Sequence, residues 1–549
     1  MKAILPVLDE SGQRPLYLQL YDYIRDAILA GDIAEGEKLP SLRGLAKSTG
    51  LSLTTVGNAY NQLLVEGYIH SRASSGYYAD KVAGTGIPAP QEAVSADTSD
   101  KTVPLEIGEF DTKLLFDNPA WPRTGPTGSV GEEGTSDAGV PTAPAPGDPA
   151  APAPGDPAVP AMRYDPDCFD FNKWKKCMNR ILNDHSSSLF FEGSPQGEEP
   201  LRREIAGYLY RSRGFRCDPD QIFIAAGTQQ ITGLLASMLR DLDIEHVALE
   251  DPGYAPVRNT FRDRGFAITD VSVDEDGIDL DSLPVNIRSA AYVSPSNNSF
   301  TGSLMPIGRR YEMLGWARDN DSYIIEDDYD SELRYFGRPI PPIRSLADDD
   351  RVIYLGSFSS TLFTAVRISY MVLPHSIAHD FTERLSDYSQ TCSKLEQLTL
   401  ANFMETGLYQ THIRKLRKLY SQKLTAATEV LRRSAPGFIE IKSNASGINL
   451  LLKVDLPSMK SGAKGTDPHG SVPGPEVGTY ANPHAVAFAK SASKKEKAPE
   501  DPRDKLIKDA ESLGISAVAS GDLILLYYNR IPLEDIPDVF SRLVSLWRS

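Results

Sequence analysis

The sequence lacks most of what would carry a chain out of the cell or into a membrane. Its 549 residues include four cysteines, Cys168, Cys177, Cys217 and Cys392. They are too sparse for a disulfide framework and show no CxxC spacing, so neither a stapled secreted domain nor a zinc ribbon is expected. No run of about 18 or more apolar residues occurs, which excludes a transmembrane helix. The opening MKAILPVLDESGQRP is broken by Pro6 and Asp9 and does not read as a secretory signal. A cytoplasmic location with no membrane partner is expected. The eight histidines are scattered. His375 and His379 stand one helical turn apart, but no carboxylate-rich motif accompanies them, and no metal site is expected. Positive charge is also short: 57 Lys and Arg against 74 Asp and Glu give a net charge of −17. Taken globally, that balance argues against nucleic acid. Locally it reverses, because residues 38–65 hold Lys38, Arg43 and Lys47 and no carboxylate, a basic face that can meet phosphates.

Composition divides the chain. Residues 119–162 contain 11 Pro and 7 Gly, and the octapeptide APAPGDPA occurs there twice. Residues 457–505 are similarly rich in Gly, Pro, Ser and Lys. Neither segment can bury enough apolar surface to offset its ordering entropy, and both are expected to be disordered insertions on the surface. The polar stretch 81–103 reads as a linker. The expected organisation is a small unit (1–80), the linker (81–103) and a large unit (104–549) carrying both insertions.

In the small unit, Tyr17, Leu20, Tyr21, Ile24 and Ile28 recur at helical spacing. Pro40 and Ser41 start a second helix that Gly50 stops. Ser52 can cap a third, with Val56, Ala59, Tyr60 and Leu63 as its buried stripe. Two short helices joined across KSTGLS make a helix-turn-helix. Residues 68–79 then read as a hairpin with Ser75 and Gly76 near its tip, a wing. In such an arrangement the first turn of the helix opened by Ser52 enters the major groove of double-stranded DNA, placing Thr54 and Thr55 at base edges. Ser41 and Arg43 start the preceding helix, where a hydroxyl, free N–H groups and a guanidinium can hold phosphate. Residues 14–79 resemble the GntR family of winged-helix regulators. The motifs are P-L-Y-x-Q-L (15–20), L-P-S-L-R-x-L-A (39–46), T-V (55–56), A-Y (59–60), E-G-Y (66–68) and S-G-Y (75–77). The resemblance adds Tyr60 and Gly76 to Ser41, Arg43, Ser52, Thr54 and Thr55 as the DNA-binding set. Leu53 stands where the family often carries an arginine.

In the large unit, seven β-rich runs (222–225, 246–250, 266–273, 290–294, 322–326, 351–356 and 368–373) are mostly separated by helical patterns. An α/β fold is expected, with a mostly parallel seven-stranded sheet and helices on both faces. Ligands of such sheets sit at the carboxyl ends of strands. There the sequence places Gly227, Thr228 and Gln229, whose N–H groups can face a phosphate, then the aromatic Tyr254, then Asp327 and Tyr329, then Ser357, Ser359 and Arg367. An anion cradle, an aromatic plate, a carboxylate and an arginine suit a phosphorylated pyridine ring.

Residues 104–549 resemble the fold-type I aminotransferase domain in the version fused behind a GntR head, the MocR/GabR-type regulators. The motifs include E-G-S-P-Q-G (192–197), G-T-Q-Q (227–230), E-D-P-G-Y (250–254), I-I-E-D-D-Y-D-S-E (324–332), V-I-Y-L-G-S-F-S (352–359) and H-I-R-K-L-R-K-L-Y (412–420). The resemblance implies pyridoxal 5'-phosphate as cofactor. It gives Asp327 the pyridinium nitrogen, Tyr329 the ring hydroxyl, Tyr254 the ring face, and Gly227, Thr228, Ser357 and Arg367 the phosphate. It also implies a homodimer with the pocket at the subunit interface and a small amine or amino acid as effector.

One departure decides the function expected. The family pattern S-F-S-K-T-L carries the Schiff-base lysine, whereas this chain reads Ser357-Phe358-Ser359-Ser360-Thr361-Leu362. A serine hydroxyl cannot form an imine, and no lysine occurs between Arg310 and Cys392. Asn297-Asn298-Ser299-Phe300 stand where the family commonly has His-Gln, an aromatic residue and Pro, and Thr364 replaces a usual Pro. Arg258 and Arg530 are candidates for a substrate-carboxylate contact or are surface charges. Three origins of Ser360 stay open: a natural loss, a pocket that still holds the cofactor non-covalently, or an engineered replacement. The expectation is a DNA-binding transcriptional regulator without catalytic residues, its cofactor held at most non-covalently or lost. The alternative is a pyridoxal-phosphate aminotransferase with an accessory DNA-binding domain.

Overall fold

The computed structural model describes residues 15–72, 75–80, 165–298, 300–335, 340–347, 349–443, 447–455, 502–520 and 523–548. The expected linker 81–103, the insertion 119–162 and the stretch between them lie outside the described residues, as does most of the second insertion. That second insertion is shorter than its composition suggests. A helix spans Pro502–Ser512 and buries Leu506 and Ala510, and Trp547 donates its indole N–H to the Leu506 carbonyl at 3.0 Å. Proline at the first helical position costs nothing, because the N–H it lacks would have no helical partner there.

The head is built from α1 (Leu16–Leu29), α2 (Leu42–Thr49), α3 (Leu53–Val65) and a hairpin of β1 (Ile69–Arg72) and β2 (Gly76–Ala79). Both short helices are capped as the sequence implies. Ser41 Oγ accepts from the Gly44 N–H at 3.1 Å, and Ser52 Oγ accepts from the Thr55 N–H at 3.0 Å. Gly50 ends α2 in the left-handed region at φ 73°. α1 turns Leu18 inward and leaves Tyr17 half-buried, so the apolar face is rotated slightly from the one the spacing suggested.

The head does not float free. The Ile307 N–H donates to the Glu66 carbonyl at 3.0 Å. Pro306 lies against Gly67, whose φ of 74° requires glycine. Leu20, Leu45 and Leu63 of the head share one apolar cluster with Met305, Ile307 and Leu314 of the large unit.

The large unit carries two sheets. In the first, the order is β3 (Ile222–Ala225), β10 (Ser369–Val372), β9 (Val352–Ser357), β8 (Tyr323–Asp327), β7 (Ser289–Val293), β4 (His246–Asp251), β5 (Ala267–Asp274) and β6 (Gly277–Ile278). The seven expected strands are all present. The eighth, β6, is two residues long and too short to show a pattern. β4, β5, β7, β8 and β9 run parallel, and β10 lies antiparallel to both its neighbours. Side chains alternate between two cores. Ile324 and Val352 face one side with helix Ile307–Asp319, while Ile325 and Ile353 face the other with helices Thr228–Asp241 and Ala255–Asp263. Burial on both faces explains why these strands read as unbroken apolar runs.

The second sheet is antiparallel, in the order β11 (Ile439–Ser443), β12 (Asn449–Val454), β14 (Leu523–Tyr527) and β13 (Ser516–Ser520). Within it β13 and β14 pair antiparallel, Ser516 opposite Tyr527 and Ser520 opposite Leu523. Helices Leu408–Ser434 and Ile536–Arg548 cover this sheet with Leu424, Leu431, Phe540 and Leu543.

Candidate functional site

The carboxyl ends of the first sheet's strands converge on one pocket, closed from the other side by Ile448, Asn449, Val518 and Tyr527 of the second sheet. Of the cofactor residues expected from sequence, Thr228, Tyr254, Asp327, Tyr329, Ser357 and Arg367 all line it, and so does Ser360. Gln229 is exposed and does not line the pocket side by side with Thr228; only its backbone N–H, free at the start of the helix, remains available. Gly227 is corrected in role. Its own N–H donates to the Ala225 carbonyl at 2.8 Å, so it has no N–H left for a phosphate. Its contribution is space: at φ 86° and ψ 169° it turns the chain into the helix, and a Cβ there would collide with the Arg367 guanidinium.

One end of the pocket is built for an anion. Ser357, Ser359, Thr228 and Arg367 meet there. Ser369 Oγ donates to Ser357 Oγ at 3.0 Å, whereas the buried Ser359 Oγ has no hydrogen-bond partner among the described residues. Such a group is costly unless a ligand pairs it. Helix Thr228–Asp241 aims the positive end of its dipole at the same place.

The other end is lined by carboxyl groups. Asp327, at the end of β8, accepts from the Tyr292 hydroxyl at 2.6 Å. Glu250, at the end of β4, accepts from the Ser294 N–H at 3.2 Å and from Asn298 Nδ2 at 3.0 Å. Asp330, in the left-handed region at φ 59°, lines the pocket together with Ser360. Burial pushes all three up, Asp327 and Glu250 to about 7 and Asp330 to about 6. The sequence reading missed Asp330, Glu250 and Tyr292, and named Asn298 only as a departure from the family pattern. Glu250 and Asp330 sit inside quoted motifs at strand ends, and that position was the available signal. Phosphate donors, a carboxylate and the Tyr254 ring, all lining one pocket, fit a phosphorylated pyridine.

The raised carboxyls carry a stability signature. An unfolded aspartate titrates near 3.9, so folded Asp327 holds a proton that the unfolded chain releases. Its contribution is complete below about pH 4 and is lost as pH rises through about 7. Tyr292 lowers this pKa by hydrogen bonding, while Asp328 and Asp330 raise it by their charge. Asp327→Asn is therefore expected to melt higher than the parent at pH 8, by the equivalent of a few kcal/mol, and to match it near pH 4. Thermal melts of the ligand-free proteins across that range check this.

The two remaining candidates separate. Arg258 lines the pocket but is engaged by Asp251 and Asp270 and donates to the Glu250 carbonyl at 3.3 Å. Arg530 does not line it.

On the head, Arg43 and Thr54 are exposed and Thr55 is half-buried. Arg43 has no ion-pair partner among the described residues. The hydroxyls of Ser41 and Ser52 are committed to capping, and Ser52 Oγ also lies 2.8 Å from Thr55 Oγ1. Tyr60, expected in the DNA-binding set, is instead core: it is fully buried, donates to the Pro40 carbonyl at 2.9 Å and packs edge-on against Tyr77. Its position on the inner stripe of α3 leaves no route to DNA. Gly76 opens β2 at φ 119°, beside Lys38. Arg72 lies over the Tyr78 ring at 4.6 Å, giving the wing a basic flank.

Comparison with known proteins bears on both units. The model of bacterial regulatory proteins of the gntR family matches residues 16–78, and that of aminotransferase class I and II matches residues 161–463. The HTH-type transcriptional regulator YdeL of Bacillus subtilis is 35% identical over 454 residues, covering 83% of this chain and 87% of its own. The probable rhizopine catabolism regulatory protein MocR of Rhizobium meliloti is 31% identical, covering 81% and 83%. The pyridoxine biosynthesis regulator PdxR of Corynebacterium glutamicum is 30% identical, covering 83% and 87%. Among solved structures, an archaeal alanine:glyoxylate aminotransferase superposes with a TM-score of 0.57 at 21% identity, over 71% of this chain and 90% of its own. At that identity the likeness is one of fold.

Proposed function

This chain belongs to the gntR family of bacterial regulatory proteins, in the form that carries an aminotransferase class I and II domain, and from that premise we propose that its large unit is a receptor for a phosphorylated vitamin B6 compound rather than a catalyst. The protein is a DNA-binding transcriptional regulator with an aminotransferase-like domain. The observation that carries the proposal is Ser360. It stands in the pocket at the family's lysine position, and no lysine is among the residues lining that pocket.

When bound, pyridoxal phosphate supplies an aldehyde and an electron-withdrawing ring. In this chain Arg367, Ser357, Ser359 and Thr228 would hold its phosphate, Asp327 its ring nitrogen, Tyr329 its ring hydroxyl and Tyr254 its face. Without an amine at 360 the ligand is retained by these contacts alone. Proton transfer by a lysine, a contribution of roughly 10²–10⁴-fold in general acid–base catalysis, is missing too.

The reading extends to the assembly. The protein works in the cytoplasm as a homodimer, and the two heads engage paired half-sites on duplex DNA, which multiplies affinity. A small amine or amino acid acts as the further effector. Footprinting of the purified protein across its genome, with and without pyridoxal phosphate, tests this. Protected sites that change with the ligand support it, and a protein that binds no DNA at any salt concentration overturns it.

The head's contacts predict their own signature. Arg43→Ala should weaken binding to every sequence alike and reduce the slope of log K against log salt by about 1, because one phosphate contact is lost. Thr54→Ala should weaken the preferred site more than random DNA. Salt titrations of an electrophoretic shift separate the two.

A further inference from the structure

We infer that Asp330 and Ser360 form a receptor for a primary ammonium group, so that the pocket prefers the amine form of the phosphorylated pyridine, pyridoxamine phosphate, over its alcohol and aldehyde forms. This rests on the proposal that the pocket holds a phosphorylated B6 compound.

The argument starts from charge. Glu250, Asp327 and Asp330 line the pocket, and none forms an ion pair among the described residues. Glu250 is held by Ser294 and Asn298, and Asp327 by Tyr292. Asp330 is 6% exposed and lines the same pocket as Ser360. The pocket's cations are spoken for: Arg258 pairs with Asp251 and Asp270, and Arg367 lies at the anion end. A buried carboxylate gains most from a partner that brings a full positive charge and N–H donors.

Position gives that partner a chemical identity. Ser360 lines the pocket at the position that, by the family resemblance, serves the carbon carrying the aldehyde or amine. Serine in place of lysine removes a cation and an alkyl chain, leaving room where an aminomethyl group can stand. It also leaves a hydroxyl whose lone pairs can accept. An ammonium with three donors can satisfy both residues at once. A hydroxymethyl group offers one donor and no charge, and an aldehyde offers none. The charge lost from the chain is thereby restored by the ligand.

The test uses the full chain freed of bound vitamers. Calorimetric titration with pyridoxamine 5'-phosphate and with pyridoxine 5'-phosphate, which differ in amine against hydroxyl, reads the ammonium subsite directly. The amine is expected to bind about 10- to 100-fold tighter, the scale of one charge-assisted hydrogen bond. Asp330→Asn, tolerated by the left-handed backbone, should bring the two affinities to within about 3-fold of each other. Ser360→Ala should narrow the gap less and gives a second reading should the first variant fold poorly. Equal affinities in the parent, or a gap untouched by both variants, overturn the inference while leaving the B6 receptor standing. Failure of both vitamers and of pyridoxal phosphate to bind overturns the receptor reading and this inference with it.

Discussion

Ser360→Lys is expected to capture pyridoxal phosphate covalently, giving a coloured protein whose carbon–nitrogen bond borohydride makes permanent, while the parent stays colourless after the same treatment. The difference should be close to all-or-none, because it depends on whether an amine exists to condense with the aldehyde, with loss of water. The other groups proposed to hold the ligand line the same pocket: Arg367 with the orphaned Ser359 Oγ, Asp327 and Tyr254. The new amine will stand beside Asp330, which favours its protonated, unreactive form. Capture should therefore speed up as pH rises, and adding Asp330→Asn should speed it further at neutral pH. Intact-mass measurement after reduction and peptide mapping to position 360 decide the matter. A parent protein that gains the same reducible link at another lysine would remove the basis for calling the pocket a non-covalent receptor.

Gly227→Ala is expected to abolish useful affinity for phosphorylated ligands, by about 100-fold or more, and to leave the head's DNA contacts intact. Two costs coincide at this residue. Its backbone, at φ 86° and ψ 169°, lies in a region essentially reserved for glycine, where a side chain costs roughly 1–3 kcal/mol. A methyl group would also displace the Arg367 guanidinium, and a charge-assisted phosphate contact would go with it. The two are separable by comparing pyridoxine with its 5'-phosphate. Strain alone weakens both ligands equally. Loss of the arginine weakens only the phosphorylated one, and that is the outcome expected.

Much of this architecture was legible from sequence because its signals are local. Each strand buried on both faces is a short apolar run, and the pocket residues found in advance from Thr228 to Ser357 follow such a run within a few positions, while Arg367 directly precedes the last one. Caps announced α2 and α3 through Ser41 and Ser52. What escaped was non-local or doubly employed. β12 and β13 share a sheet but flank a long polar insertion, so no window spans them. Tyr60 belongs to a family motif for packing rather than for contact, and a motif alone does not distinguish the two. Lys423 is fully buried and paired with Asp165, far earlier in the chain, and it donates to the Asn529 carbonyl at 2.7 Å. Nothing adjacent in sequence hints at either partner. Asp330 was in plain view in D-D-Y-D-S-E, but its meaning depends on Ser360, thirty positions on, and only the fold brings both to one pocket.

The seam between head and large unit has a consequence for how the molecule comes apart. Leu45 and Leu63 share their oil with Met305 and Leu314, and the strand-like bond from Ile307 to Glu66 crosses the same border. Glu66 itself is 2% exposed, its carboxyl capped by Tyr21 and Gln62. Peeling the reading head away would wet that shared interior, so the head does not behave as a bead on a string. It is expected to melt in step with its neighbour, so that whatever firms up the chamber also firms up the instrument that grips the double helix.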